Sequence, residues 1–208
     1  MSVVEMSMSL RQRNKEDKLQ RIRAAAWELF ESQGFAETTT RQICERADIG
    51  AGTLFSYVDD KGDLLIWLWS ERFGQIMDDR FASLPAAGLA EQLMHVYRGF
   101  LAFYAERPAL GREILPELMV LEGRKVERMA TLQWTFTARC AGLIDAARAR
   151  GEVLPQAPAE IAAHTIFGAY LVGLAALLNG FVPDLDAAAA LLRAQIDVVV
   201  SGIGTREG

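Results

Sequence analysis

Two Glu-His pairs are the first residues whose types and spacing could do chemistry. Glu91 and His95, and again Glu160 and His164, stand four apart, so on a helix each pair shares one face. Metal-carboxylate sites inside helical bundles use a Glu-x-x-His spacing of three with further glutamates. The spacing here does not fit that pattern, and the chain holds only 2 His, so a helical metal-carboxylate enzyme is the remote reading. Cys44 and Cys140 each lie in an apolar-periodic segment, outside any Cys-x-x-Cys or Cys/His pattern, and read as buried reduced thiols. No Ser-His-Asp arrangement, phosphate-cradling glycine loop or zinc spacing is present. The expectation is a protein that is not an enzyme and needs no cofactor.

A second set of residues suits recognition instead. Thr39, Thr40 and Arg41 are followed by Ala51, Gly52, Thr53, Phe55, Ser56 and Tyr57, then by Lys61. An arginine can pair bidentately with guanine, hydroxyls can bond to several bases, and Ala51 or a threonine methyl can meet a thymine methyl. Gly52 permits close backbone approach. These residues need rigid elements to hold them. Thr39 and Gln42 form a capping box that must start a helix. Asp48-Ile49-Gly50 interrupts that helix after Ala47, and a short one follows from Ala51 to about Tyr57. Capped helix, tight turn and second short helix make a helix-turn-helix, whose second member enters the DNA major groove. Helical hairpins also occur as plain packing units, so the geometry alone leaves packing and DNA binding both open. Phe55 and Tyr57 likewise suit either a groove or a core.

Helical spacing recurs along the whole chain and no strand pattern does, which predicts an all-α fold. The first helix starts near Asn14 and ends at Gly34, and a fourth runs from Lys61 to about Leu84 before Pro85. Further helices are expected from Gly88 to Glu106, to Leu115 before Pro116, from Glu117 to Arg150 with an interruption, and after Pro158 and Asp184. The composition, 51% hydrophobic and 24% charged over 208 residues, is that of a soluble globular protein, and the net charge of -5 makes chain-wide affinity for nucleic acid or anionic membrane unfavourable. Phosphate contact must then come from a local patch. Residues 11–23 supply six basic residues against Glu16 and Asp17, with Arg11 and Arg13 on an N-terminal tail where basic arms enter the minor groove. That tail lacks the pattern of a signal peptide. The stretch 161–182 carries no charge over a bilayer-spanning length, but His164, Asn179, its many small residues and the absence of flanking basic clusters favour a buried or dimer-interface helix.

The stretch from Leu19 to Leu65 resembles the DNA-binding half of TetR-family transcriptional repressors. The resemblance lies in RIRAAAWELFESQGF followed by ETTTRQICERADIGAGTLFSYVDDKGDLL, which fill the family's Gly-aromatic, Thr-Thr, Ile, Ala, Gly-Thr-Leu-aromatic and Lys-x-x-Leu positions. Asp48 stands where the family usually has Gly, Gly50 where it has a capping Ser, Val58 in place of Phe, and Gly62 where an acidic residue or Pro is common. The resemblance implies a tail over 1–14, a helix-turn-helix domain over 15–62, and a ligand-sensing and dimerisation domain over 63–208. It implies a cytoplasmic, ligand-responsive repressor that binds a pseudopalindromic double-stranded operator as a homodimer.

Phosphate contacts position such a protein while base contacts specify its site. Positioning falls to the amides at the start of the second helix, Thr39, Tyr57 and Lys61. Readout falls to Arg41, Ala51, Gly52, Thr53, Phe55 and Ser56. The homodimer is expected through the last two helices, whose Ala, Gly, Leu and Val residues would pair with a twofold mate as a four-helix bundle. A small, largely apolar effector would meet Trp67, Phe73, Tyr97, Phe100, Tyr104, Trp134, His164, Phe167 and Tyr170, with Met77, Met119, Arg72 and Gln133 as further candidates, and ordinary core packing is the other reading of each. Control by a protein partner is the alternative.

Overall fold

The computed structural model describes residues 10–203, and among them the backbone forms nine helices and no strand. The chain divides into two compact units between Leu68 and Trp69, inside a helix, where the sequence reading places the division at 62/63.

In the first unit, α1 (Leu10–Gln33) presents Ile22, Ala26 and Phe30 at successive four-residue steps, and all three are buried. They join Ile43 and Ala47 of the α2 (Thr40–Arg46) segment and Leu54 of α3 (Ala51–Phe55) in one apolar core. Helix α1 packs on α2, and α2 on α3. Helix α4 (Lys61–Ala82) starts here and continues into the second unit. Asp60 caps it, its carboxylate accepting from the Asp63 amide at 2.6 Å, while the buried Asp63 carboxylate accepts from the Asp59 amide at 3.0 Å.

Helix α1 begins at Leu10 rather than near Asn14. Nothing between 10 and 14 breaks a helix, and long unbranched side chains favour one. Arg13 therefore stands on a helix and not on a tail. Residues 1–9 of the expected tail and the Arg11 side chain lie outside the described residues. Helix α3 stops at Phe55, with Ser56 as its C-cap, two residues short of the expected end.

The second unit contains α5 (Leu89–Glu106), α6 (Pro108–Met119), α7 (Arg124–Ala149), α8 (Ala159–Leu178) and α9 (Leu185–Ile203). Helix α5 lies against α9, α7 against α8, and α8 against α9. Gly111 lets α6 approach α8, since a Cβ there would stand 2.7 Å from a Leu178 methyl. Pro116 does not end its helix as expected. Helix α6 continues to Met119, and the break comes at Val120, with extended backbone, and Gly123 at φ +55°. The extra residues carry Leu118 and Met119 to a cavity wall. Helix α5 has no side-chain cap of its own at Gly88; instead the Glu152 carboxylate accepts from the Leu89 amide at 2.9 Å. Helix α8 is long and apolar enough to cross a membrane, with mean hydropathy 1.9, yet 39% of that window is buried within the protein.

Candidate nucleic-acid interface and effector cavity

The hairpin of α2 and α3 is shaped by backbone hydrogen bonds that its sequence dictates. Thr39 accepts the Gln42 amide at 3.2 Å, and Gln42 reaches back to the Thr39 amide at 2.8 Å, completing the expected capping box. Helix α2 closes in a Schellman arrangement: the Ile49 amide donates to the Cys44 carbonyl at 3.0 Å and the Asp48 amide to the Glu45 carbonyl at 3.3 Å. This geometry needs a left-handed residue, and Asp48 adopts φ +51°. Aspartate is among the few residues with a side chain that tolerate it. Arg21 steadies it by donating to both the Asp48 carbonyl and its carboxylate, at 3.3 and 3.4 Å.

The turn sets one face of the hairpin inward and the other outward. Leu54 is buried, as are Ile43 and Ala47, while Ala51, Gly52, Phe55 and Ser56 are exposed and Thr53 and Tyr57 half-buried. Phe55, at 47% exposure, stands outside the core. Arg41 is 87% exposed and makes an i,i+4 pair with Glu45 at 2.8 Å. Tyr57 shares a surface groove with Lys15, Lys18 and Gln12 of α1. Arg21 and Arg23 of the basic segment have protein partners, Asp48 for the first and the Trp67 ring and Glu16 for the second.

Lys61, expected to meet a phosphate, has its partners within the protein. Its ammonium donates to the carbonyls of Phe35 at 2.7 Å, Ala36 at 3.2 Å and Thr38 at 2.8 Å, and lies 4.4 Å from the centroid of the Phe35 ring. An ammonium has three donors, and all three hold the loop between α1 and α2, leaving none for a phosphate. The Thr39 hydroxyl is likewise engaged, donating to Gln42 at 2.9 Å. Gln33 and Thr38 were not anticipated. Gln33 donates to Thr38 Oγ1 at 3.1 Å and to Gln42 Oε1 at 3.3 Å, tying the end of α1 to the cap of α2. No local sequence signal marks Gln33, because its partners lie beyond a turn.

In the second unit a cavity of about 130 Å³ opens between α4, α5, α6, α7 and α8. Phe73, Tyr104, Phe167 and Tyr170 of the expected effector residues line it, with Met119 and Gln133. The remainder of the expected set lies elsewhere, for reasons of helix phase. Trp67 is two residues from the lining Trp69, about 200° around α4, and is buried in the first unit. Trp134 is similarly two residues from the lining Phe136 and is 69% exposed. Tyr97 and Phe100 are buried behind the wall, Phe100 stacking on Phe73 at 4.2 Å and Tyr97 meeting Phe136 edge-on at 5.4 Å. His164 is exposed, with Nδ1 2.8 Å from the Glu160 carbonyl. Met77 is buried outside the lining, and Arg72 bonds to Gln75. Trp69, Leu118, Leu121, Met129, Leu132, Phe136, Leu171 and Leu174 complete the wall. Met129 and Phe136, seven apart, could have been found by following one face of α7.

Two polar features stand in this apolar wall. The Trp69 indole N–H donates to the Tyr104 hydroxyl at 2.6 Å, with both residues buried. The Tyr170 hydroxyl is buried and has no hydrogen-bond partner among the described residues. Burial pushes both phenols above their ordinary range; the Trp69 bond opposes the rise at Tyr104, and the charge of an ionised Tyr104 adds to it at Tyr170. Both remain protonated donors at neutral pH. In the first Glu-His pair, Glu91 pairs with Arg193, and His95 Nε2 lies 3.1 Å from the Ser83 hydroxyl.

Residues 22–67 match the model of the family described as bacterial regulatory proteins, tetR family. No curated protein matches the chain. Among solved structures, the chain is similar to the transcriptional regulator FadR of Bacillus subtilis, in complex with stearoyl-CoA, at 22% identity and TM-score 0.69 over 89% of this chain and 99% of that one. It is also similar to Thermus thermophilus FadR, a TetR-family repressor in complex with lauroyl-CoA, at 24% identity and TM-score 0.71 over 91% and 96%. A TetR transcriptional regulator from Rhodococcus sp. RHA1 superposes with TM-score 0.71 at 17% identity, over 92% of this chain and 99% of that one. The likeness to these structures extends the shared fold across both units.

Proposed function

We propose that this chain, whose residues 22–67 match the tetR-family model, is a ligand-responsive repressor that binds a pseudopalindromic operator as a homodimer in the cytoplasm. The observation that carries the reading is the two-faced hairpin: Ile43, Ala47 and Leu54 anchor it while Arg41, Ala51, Gly52, Phe55 and Ser56 are exposed on it. In this reading Arg41, Thr53, Phe55 and Ser56 meet base edges, Ala51 a thymine methyl, and Gly52 allows the close approach. Phosphates are met by the first amides of α2, at Thr40 and Arg41, which have no intrahelical acceptor. Tyr57 with Lys15 and Lys18 meets the backbone beside the groove they share. Lys61 and Thr39 serve by holding the hairpin's entry in place.

The partner copy is proposed to sit on α8 and α9. Ile161, Val172, Leu191 and Val198 are exposed at 65%, 65%, 40% and 72%, beside exposed Gly168, Ala190 and Ala194. Apolar side chains interleaved with small residues suit a four-helix bundle with a twofold mate.

The cavity is proposed as the effector site. Its size is of the order of the ~150 Å³ apolar cavities that stay dry and take up benzene, so it suits an aromatic ring or part of an acyl chain. The acyl-CoA complexes of the two FadR proteins support an acyl chain as that apolar group. An effector that prefers the conformation unable to bind DNA shifts the population towards it.

Selection of bound duplexes from random DNA with the purified protein is expected to return a twofold-symmetric motif. Lauroyl-CoA is then expected to release it. Recovery of no enriched motif overturns the DNA-binding reading, and release by no acyl-CoA overturns the acyl reading alone.

A further inference from the structure

We propose that the cavity selects a ligand carrying a neutral carbonyl oxygen, held between the hydroxyls of Tyr104 and Tyr170. The inference rests on the reading of the cavity as the effector site and states which chemistry that site demands.

The imbalance of donors and acceptors carries it. A phenol hydroxyl is one donor and an acceptor. Tyr104 already accepts from Trp69 at 2.6 Å, which turns its own proton away from the indole. Among the described residues the bond accepted from Trp69 is the hydrogen bond shown for the Tyr104 hydroxyl, and the Tyr170 hydroxyl, on a residue only 2% exposed, has none. Both residues line the same cavity. Buried polar groups left without partners are rare, and each calls for an explanation. A purely hydrocarbon ligand would leave both protons unmatched. A carbonyl oxygen has two lone pairs and can accept from both phenols at once.

Charge decides between a neutral carbonyl and a carboxylate. Among the described residues no Lys, Arg or His lines the cavity, and beyond its aromatic, aliphatic and methionine side chains stands Gln133. A carboxylate buried there would lose its hydration without a cation in return. The ligand class is thus a ketone, ester or thioester with an apolar body, and not a free acid anchored through its charge. Trp69 acts as a positioning residue by fixing the Tyr104 hydroxyl.

Three probes of matched shape test this with the full chain: butyrophenone, its hydrocarbon counterpart butylbenzene, and the anion 4-phenylbutyrate, each titrated calorimetrically. Butyrophenone is expected to bind about tenfold more tightly than butylbenzene, the value of one hydrogen bond to an otherwise unsatisfied group, and 4-phenylbutyrate the most weakly. Tyr170→Phe is expected to bind butylbenzene at least as well as the parent, which shows the cavity intact, and to lose most of the preference for the ketone. Equal binding of ketone and hydrocarbon by the parent protein overturns the proposal, as does equal binding of the anion or an undiminished preference in Tyr170→Phe. If none of the three binds, the effector reading of the cavity falls and takes this proposal with it.

Discussion

The ammonium of Lys61 lies 2.7 Å from the carbonyl oxygen of Phe35, and with Ala36 and Thr38 as further acceptors it closes the C-terminal end of α1 onto the start of α4. Lys61 thus braces the hairpin's entry within the protein.

Lys61→Ala is therefore expected to act through stability. Losing three charge-assisted bonds, two of them part-buried and the one to Ala36 exposed, should cost roughly 2–3 kcal/mol, lowering the melting temperature of the free protein. The slope of log affinity against log salt should stay that of the parent, because no phosphate contact is removed. A slope reduced by about one unit, with an unchanged melting temperature, returns Lys61 to the phosphate.

Asp48 occupies a left-handed position that glycine fills without strain. Asp48→Gly is expected to stabilise the free protein by roughly 0.5–1 kcal/mol, less whatever its exposed pairing with Arg21 contributes. Chemical denaturation measures this. A destabilised variant would mean that the Arg21 contacts outweigh the backbone strain.

Arg41 is 87% exposed and paired only with an exposed Glu45. Its removal as Arg41→Ala should leave the melting temperature of the free protein essentially unchanged. Operator affinity should fall by about 1–3 kcal/mol, with discrimination lost at one base pair. Binding measured across single-base operator variants checks this, and uniform weakening at every variant would assign Arg41 to the backbone.

Glu152 reports on pH. Its hydrogen bonds to Arg150 and to the Leu89 amide, outweighing partial burial, hold its carboxyl below the ordinary range. A depressed folded-state value stabilises the protein at pH above the ordinary carboxyl value, about 4.3, and that contribution disappears as pH falls through the lower folded value. Glu152→Gln should therefore be less stable than the parent at pH 7, with the difference shrinking below about pH 4. A difference that is constant across pH would show that the carboxylate's charge is not what caps α5.

The sequence determined the elements whose signals lie within one helical turn. Thr39 and Gln42 are three apart, so their capping box forms wherever the helix does; the same is true of Asp60 before α4. The periodicity of Ile22, Ala26 and Phe30 likewise predicts the buried face of α1. These are short-range interactions that need no knowledge of what packs against them. The same local logic fails at Pro116, because a single missing amide is outweighed when the following turn carries Leu118 to the cavity.

Only the tertiary structure decided which side of a helix counts. Trp67 and Trp69, or Trp134 and Phe136, are equivalent by composition and opposite in space, since two residues turn a helix by about 200°. Whether Lys61 meets a phosphate or the carbonyls of Phe35, Ala36 and Thr38 depends on a loop that returns from more than twenty residues away. The unmatched hydroxyl of Tyr170 is the clearest case. A tyrosine in an apolar helix looks the same in any sequence, and its demand for an acceptor exists only once folding has buried its oxygen without a partner among the described residues.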